Sequence, residues 1–410
     1  MNRRKLLQSS LTLPIAAAAA GCQTLGGTSS AAASAGLSTR DSHFDPWIEI
    51  NADNVRHNVR EISRRVSNRP ILAVIKNNGY GAGTVEIARI LEPMKSIAGF
   101  AVIKLQEAMV LRDAGIRKPI LLMGPFNAAE LDDMVARNIM AMMYRPMGTE
   151  IGLVSARRQK PVTVHFCIDT GIGRVGVPYQ DAEDLVVSLG TRKDVVVAGT
   201  QMTFAEDPEF DAEQLRRFVE LCGALERRGV SVGRRHAASS FALFERPEAF
   251  LDMVRPGMAI YGCYSEARFR DLKVMDLRPS IALKTRVVYV KRLRAGDSAG
   301  YERAYKTDVP VWLATLPVGH VDGLPRNLAG GGSVRIRDRM YPLVASVSSS
   351  HSIVELGAGT TVKVGDEVTL FGWQTGSEPN SLCTAAKCSV YDLMMHLNPL
   401  LPRRVVSVGS

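Results

Sequence analysis

The residues best able to do chemistry sit at the ends of apolar runs. Lys76 closes the run Ile71-Leu-Ala-Val-Ile75 and is followed by Asn77-Asn-Gly-Tyr80-Gly-Ala-Gly83. An apolar run bounded by turn formers reads as a fully buried strand, and the glycines let backbone crowd against whatever occupies its end. An isolated strand-end lysine ordinarily snorkels into water. One held at the rim of a core is partly desolvated, which disfavours its charged form and makes it a better nucleophile for a carbonyl, as a Schiff-base lysine requires. Asp169-Thr-Gly-Ile-Gly-Arg174, His236-Ala-Ala-Ser-Ser240 and Arg255-Pro-Gly257 also place polar groups on or just after apolar runs.

The elements that must position these groups are short and regular. Eight apolar runs cover 71–75, 98–103, 119–123, 139–143, 162–168, 195–201, 232–236 and 253–261. Between them apolar residues recur at helical spacing, as at Leu105, Met109 and Leu111, or at Leu215, Phe218, Val219 and Leu221. Such strand and helix units suit a closed, TIM-like α/β barrel of eight parallel strands, which gathers its active-site groups at the strands' C-terminal ends. Lys76, Arg174, His236, Ser240 and Arg255 all fall on that face. From about Ser280 the pattern becomes alternating strands with turn signals at Ala295-Gly-Asp, Gly330-Gly-Gly and Lys363-Val-Gly-Asp, an all-β C-terminal domain. The alternating Trp47-Ile-Glu-Ile-Asn51 precedes the barrel and is placed to pair into that domain.

The chain therefore divides into a signal segment (1–22), a linker (23–45), a barrel (46–279) and a β domain (280–410). Asn2-Arg3-Arg4-Lys5 ahead of the apolar stretch 6–20, too short for a comfortable membrane span, resembles a twin-arginine export signal. Ala19-Ala-Gly-Cys22 resembles a lipobox, which would lipidate Cys22 and leave a periplasmic or membrane-anchored lipoprotein; plain signal-peptidase cleavage in the same alanine run is the competing outcome. The Gly, Ser, Ala and Thr of 23–42 cannot bury a core. Net charge is +10, three units of it from Arg3, Arg4 and Lys5, and no basic stripe is interleaved with aromatics, so the sequence does not point to nucleic acid. No Cys and His spacing resembles a zinc site. Cys383 and Cys388 are the only close pair of body cysteines, and their spacing neither forbids nor requires a disulfide.

With these pieces in order, the chain resembles the fold-type III pyridoxal-phosphate enzymes and, among them, the alanine racemase family, from about Pro46 to Val405. The likeness rests on Ala73-Val-Ile-Lys76-Asn-Asn-Gly-Tyr80-Gly, Asp169-Thr-Gly-Ile-Gly-Arg174, Val254-Arg-Pro-Gly-Met-Ala-Ile-Tyr-Gly262 and Gly300-Tyr301, with a weaker echo in Gly319-His-Val-Asp-Gly323. The resemblance implies an amino-acid racemase acting on alanine, with pyridoxal 5'-phosphate carried by Lys76; the export signal and the remade substrate pocket widen the expected substrates beyond alanine. Tyr80, Ser240 and the backbone of Gly257 and Met258 would hold the phosphate, Arg255 would face the pyridine nitrogen, and His236 would buttress Arg255. Arg174 would meet the substrate carboxylate. Tyr301 would be the second base, delivered by a partner subunit, so the resemblance also implies a homodimer with shared active sites.

The sequence departs from the family pattern at several positions. Cys167 stands where relatives often carry a carbamylated lysine that holds the active-site arginine. Thr203 stands where a histidine would lie beside the cofactor. His320 replaces a tyrosine of the Gly-Tyr-Ala-Asp-Gly motif and is a substitute phosphate donor. Ser348-Ser349-Ser350 replaces the Cys-Met-Asp segment of the substrate pocket, which places Ser349 against the substrate. Two other readings keep the cofactor: a fold-type III lyase or aldolase, and a catalytically weak cofactor-binding lipoprotein. Arg255 and Tyr301 argue against both.

Overall fold

The computed structural model describes residues 44–407. The signal segment, Cys22 and nearly all of the expected linker lie outside the described residues. Seven of the expected barrel strands form: Ile71–Val74, Ile97–Val102, Ile120–Leu122, Ile139–Met143, Val162–Asp169, Val195–Gln201 and Arg234–His236. Each is parallel to its neighbour in that order. Their apolar side chains are largely buried, as strands flanked by helices on one side and a filled barrel on the other must be.

The eighth run, expected as a strand over 253–261, is not one. Residues 252–256 lie between the last and first strands and bond to both: Asp252 and Arg255 N–H donate to Arg235 and Ala238 carbonyls, while Leu72 and Val74 N–H donate to Val254 and Pro256 carbonyls. The ring is closed, but Pro256 has no N–H to continue a ladder. The chain then turns into the 3-10 helix Met258–Tyr261.

The β domain is a nine-stranded sheet in the order Tyr289–Leu293, Val311–Leu316, Ser352–Gly357, Arg339–Val344, Ser333–Ile336, Glu367–Phe371, Ile281–Arg286, Trp47–Asn51, Arg403–Val406. Trp47–Asn51 pairs antiparallel with Ile281–Arg286 and parallel with Arg403–Val406, so the N-terminal strand is built into the C-terminal domain. Asn51 ends that strand and caps the helix Ala52–Arg65, its side chain accepting from Asp53 and Asn54 N–H at 3.1 Å each. That helix buries Val55, Val59 and Ile62, a single stripe at helical spacing. Cys383 and Cys388 are both free thiols, linked through the Cys388 N–H to the Cys383 carbonyl at 3.1 Å.

Candidate active site

Lys76 leaves its strand into a left-handed turn. Asn77, Asn78, Gly79 and Tyr80 have φ of 55°, 55°, 59° and 54°. Each non-glycine residue there costs roughly 1–2 kcal/mol, asparagine being among the most tolerant. The turn is held by Asn78 N–H donating to Glu107 Oε1 at 2.9 Å, and by Gly81 and Gly83 N–H donating to the Asn77 and Asn78 carbonyls at 3.1 and 2.8 Å. The sequence singled out the glycines, which let backbone crowd at the strand's end; the structure places two asparagines and a tyrosine at positive φ as well. Lys76 is mostly buried, and its pKa is lowered by that burial first and by the Arg174 charge second, against the pull of Glu107. Its Nζ lies 6.0 Å from the centre of the Tyr80 ring.

Tyr80 reaches across to the segment that closes the barrel. A Cβ on Gly257 would come within 2.3 Å of Tyr80 Oη, so only glycine fits there. Ser240 Oγ accepts from the N–H groups of Gly257 and Ala259 at 2.9 and 3.2 Å. These converge with Met258, which opens the 3-10 helix, into one cradle. Tyr391 joins it, with its ring 6.4 Å from that of Tyr80, and was not among the residues expected from sequence. It sits on the short helix Val390–Met395, whose Met394 carbonyl packs so tightly on Gly81 that a Cβ there would approach to 2.0 Å. A lone tyrosine near a C-terminus carries no local motif; only packing brings it here. Burial pushes the Tyr391 hydroxyl up to about 12 and that of Tyr80 higher still, so both remain protonated donors.

Arg255 is 6 % exposed and has no carboxylate partner among the described residues. Its Nη1 donates to His236 Nδ1 at 3.0 Å and also to the His236 carbonyl, and its Nη2 donates to the Met202 carbonyl at 2.7 Å. Burial pulls its pKa down to about 10, leaving it a cation at neutral pH. His236 Nε2 in turn lies 2.9 Å from Nδ1 of His165, a second buried histidine not singled out from the sequence. A guanidinium only donates, which fixes the chain's polarity. His236 Nδ1 accepts, its Nε2–H donates to His165 Nδ1, and His165 carries its own proton on Nε2. Burial first, then the Arg255 charge, depresses both histidines, His165 to about 3, so both are neutral.

Arg174 is exposed and forms no ion pair among the described residues, on the loop whose Gly171 and Gly173 N–H groups are held by Asp169 Oδ1. Cys167 is buried, its thiol pushed up to about 11 by burial, so it cannot replace the charge of a carbamylated lysine. Thr203 is half-buried and offers its carbonyl to Gln214. Tyr301, His320 and Ser349 form a separate group on the β domain. Tyr301 is 76 % exposed, and His320 and Ser349 are also exposed; His320 N–H donates to the Ser348 carbonyl and Val321 N–H to that of Ser349, at 3.0 and 3.1 Å. Among the described residues no hydrogen bond links this group to Lys76, Tyr80, Ser240 or Arg255 of the same chain. His320 is therefore not part of the Tyr80 cradle in its own chain.

The buried Arg255 guanidinium has no counter-charge among the described residues and is held by neutral acceptors alone, so it presents a positive charge inside the barrel. That charge, a desolvated lysine at the same end of the barrel, and the hydroxyls of Ser240, Tyr80 and Tyr391 around Gly257 are the groups that a phosphorylated aldehyde with a ring nitrogen would need. The comparisons agree. Residues 50–265 match the family model described as alanine racemase, N-terminal domain, and residues 280–405 that of the alanine racemase C-terminal domain. The alanine racemase of Desulforamulus reducens is 35% identical over 334 residues, 80% of this chain and 90% of that protein. Alanine racemase 2 of Caldanaerobacter subterraneus is 34% identical, over 80% of this chain and 86% of that one. The Clostridium difficile 630 alanine racemase structure superposes with a TM-score of 0.81 at 26% identity, over 88% of this chain and 96% of that one. The Bacillus anthracis alanine racemase with bound L-Ala-P gives 0.79 at 26% identity, over 90% and 96%. These relatives do not favour the lyase or the non-catalytic reading. The chain belongs to the alanine racemase family, the pyridoxal-phosphate-dependent amino-acid racemases.

Proposed function

We propose that this chain interconverts the L and D forms of alanine and of larger amino acids by a two-base mechanism, outside the cytoplasm. The observation that carries the reading is the desolvated Lys76 at the end of the first barrel strand, together with the buried Arg255 held by His236 and the Tyr80–Ser240–Gly257 cradle on the segment that closes the barrel. Pyridoxal phosphate, when bound, supplies the electron sink that makes an α-proton acidic. Ser240, Tyr80, Tyr391 and the backbone of Gly257 and Met258 would hold its phosphate, and Arg255, kept in place by His236, would meet its ring nitrogen. Arg255 cannot give up a proton at neutral pH, so it limits electron withdrawal and favours proton exchange over cleavage of other bonds.

Lys76 Nζ, its charged form disfavoured, takes or returns the α-proton on one face. Tyr301 Oη does so on the other, since one base cannot readily serve both sides. Arg174 holds the substrate carboxylate. The exposure of Tyr301 in its own chain supports a homodimer in which each β domain presents Tyr301, Ser349 and His320 to the partner's barrel. Hydroxyls at Ser349 and Ser350 in place of a thioether and a carboxylate support a wider choice of side chain. Arg3-Arg4 and Ala19-Ala-Gly-Cys22 support export and a lipid anchor at Cys22, where released D-amino acids would meet the peptidoglycan environment.

The test is to incubate the holoenzyme with L-alanine, L-serine, L-lysine and L-arginine in heavy water. The expected products are D-amino acids carrying deuterium at Cα. Turnover of alanine alone would remove the proposed breadth, and bound cofactor with no exchange on any substrate would remove the mechanism. Labelled palmitate incorporated by the full chain and not by Cys22→Ala would establish the anchor.

A further inference from the structure

At the N-terminal mouth of the barrel, the end opposite Lys76, lies a cavity of about 280 Å³ that the racemase reading does not use. Leu72, Ala98, Pro119, Met140, Ala198 and Met253 make its walls, and its only polar lining side chains are His165 and Arg234. No carboxylate lines it. His165, Gly199 and Arg234 stand side by side on three adjacent strands, in register. Gly199 has no side chain between them, and any Cβ there would meet His165 Nδ1 at 2.6 Å.

The chemistry of the two polar groups is complementary to an anion. His165 is 2 % exposed, and its Nδ1 is spent on His236, so the proton fixed on its Nε2 by the Arg255–His236 relay has no acceptor among the described residues. Arg234 is exposed and unpaired among the described residues. Its neighbour Arg235, by contrast, is neutralised by a forked contact with Asp252 at 2.9 and 3.2 Å. A carboxylate is the group that accepts from a neutral N–H donor and a guanidinium together. The volume falls just under the roughly 300–1,000 Å³ typical of drug-sized ligand sites, which limits the occupant to a small molecule.

We propose that this cavity is a second ligand site, for a short unbranched monocarboxylate whose head lies between His165 Nε2 and the Arg234 guanidinium and whose alkyl tail lies against Leu72, Ala98, Pro119, Met140 and Met253. The site is joined to the catalytic face through His165, His236 and Arg255, so its occupant touches the far end of the relay that orients Arg255. No group in the catalytic cradle is shared with it.

The probe is sodium hexanoate, titrated calorimetrically into the holoenzyme in excess racemic alanine, which fills the catalytic site at chemical equilibrium. One hexanoate is expected per chain, with hexan-1-ol at least tenfold weaker. Arg234→Gln, at an exposed position, is expected to weaken hexanoate at least tenfold, and Ala198→Leu, which fills the cavity, to abolish its binding. Absence of binding to the parent at millimolar hexanoate would overturn the proposal. So would displacement of hexanoate by alanine, which would locate it in the catalytic site, and so would equal affinity of the parent and Arg234→Gln.

Discussion

The barrel rim and the β-domain loops hold the two halves of the proposed chemistry in opposite physical states. Lys76, Tyr80, Ser240 and Arg255 are buried or mostly buried at one end of the barrel, and burial shifts Lys76 and Arg255 downward and Tyr80 upward. Tyr301, His320 and Ser349 are exposed, and their order comes from backbone hydrogen bonds of the loops that carry them. The first group is assembled by the folding of one chain. The second has its geometry but not its environment, which the proposed homodimer would supply.

Two substitutions separate the halves most sharply. Lys76→Ala removes both the covalent link and a base and is expected to slow racemisation on the order of 10⁴-fold or more, read as D-alanine formed per mole of chain. Tyr301→Phe removes a proton donor without changing the fold and is expected to cost about 10²- to 10³-fold. Mixing the two inactive variants under subunit exchange distinguishes a shared site from a self-contained one. Half the dimers are then mixed, each with one intact site, and about a quarter of parental activity returns. A mixture that stays inactive despite demonstrated exchange would place Tyr301 at the Lys76 of its own chain.

Tyr391→Phe tests the buried half alone. Loss of one hydrogen bond to a charged phosphate is worth about 1.5–3 kcal/mol, so cofactor affinity measured by fluorescence titration is expected to fall between ten- and a hundredfold. An unchanged affinity would leave the cradle to Tyr80, Ser240 and the backbone.

What the sequence made legible follows from the same contrast. Lys76, Arg174, His236 and Arg255 could be placed because each ends or interrupts an apolar run, and strand ends of a parallel barrel share a face. The pairing of Trp47–Asn51 into the β domain was legible from its alternation and position, while its partner Ile281–Arg286 came from the structure. The run at 253–261 misled because apolar content says nothing about hydrogen bonding, and Pro256 and Gly257 turn it from the barrel wall into the 3-10 helix Met258–Tyr261. His165 was hidden inside the strand Val162–Asp169, since a buried polar residue within an apolar run looks like an interruption until its partner is known. Tyr391 was hidden because nothing local ties it to Tyr80.

The His165–His236 pair gives the smallest of these effects and a test specific to the buried half. Both pKa values are depressed below 6.5 by burial, with the Arg255 charge facing both and the Arg234 charge also facing His165. The unfolded chain therefore takes up protons on these histidines as pH falls through about 6.5, while the folded chain does not. The stability they permit is complete above that pH and is lost below it, at about 1.4 kcal/mol per pH unit for each histidine, continuing for His165 toward about 3. Urea denaturation of the parent and His165→Gln between pH 7 and 5 should show the variant losing stability more gently, by close to one proton's slope. Identical slopes would mean that His165 takes up its proton in the folded protein, and the fixed polarity of the relay, with the Nε2 donor it presents at the barrel mouth, would not hold.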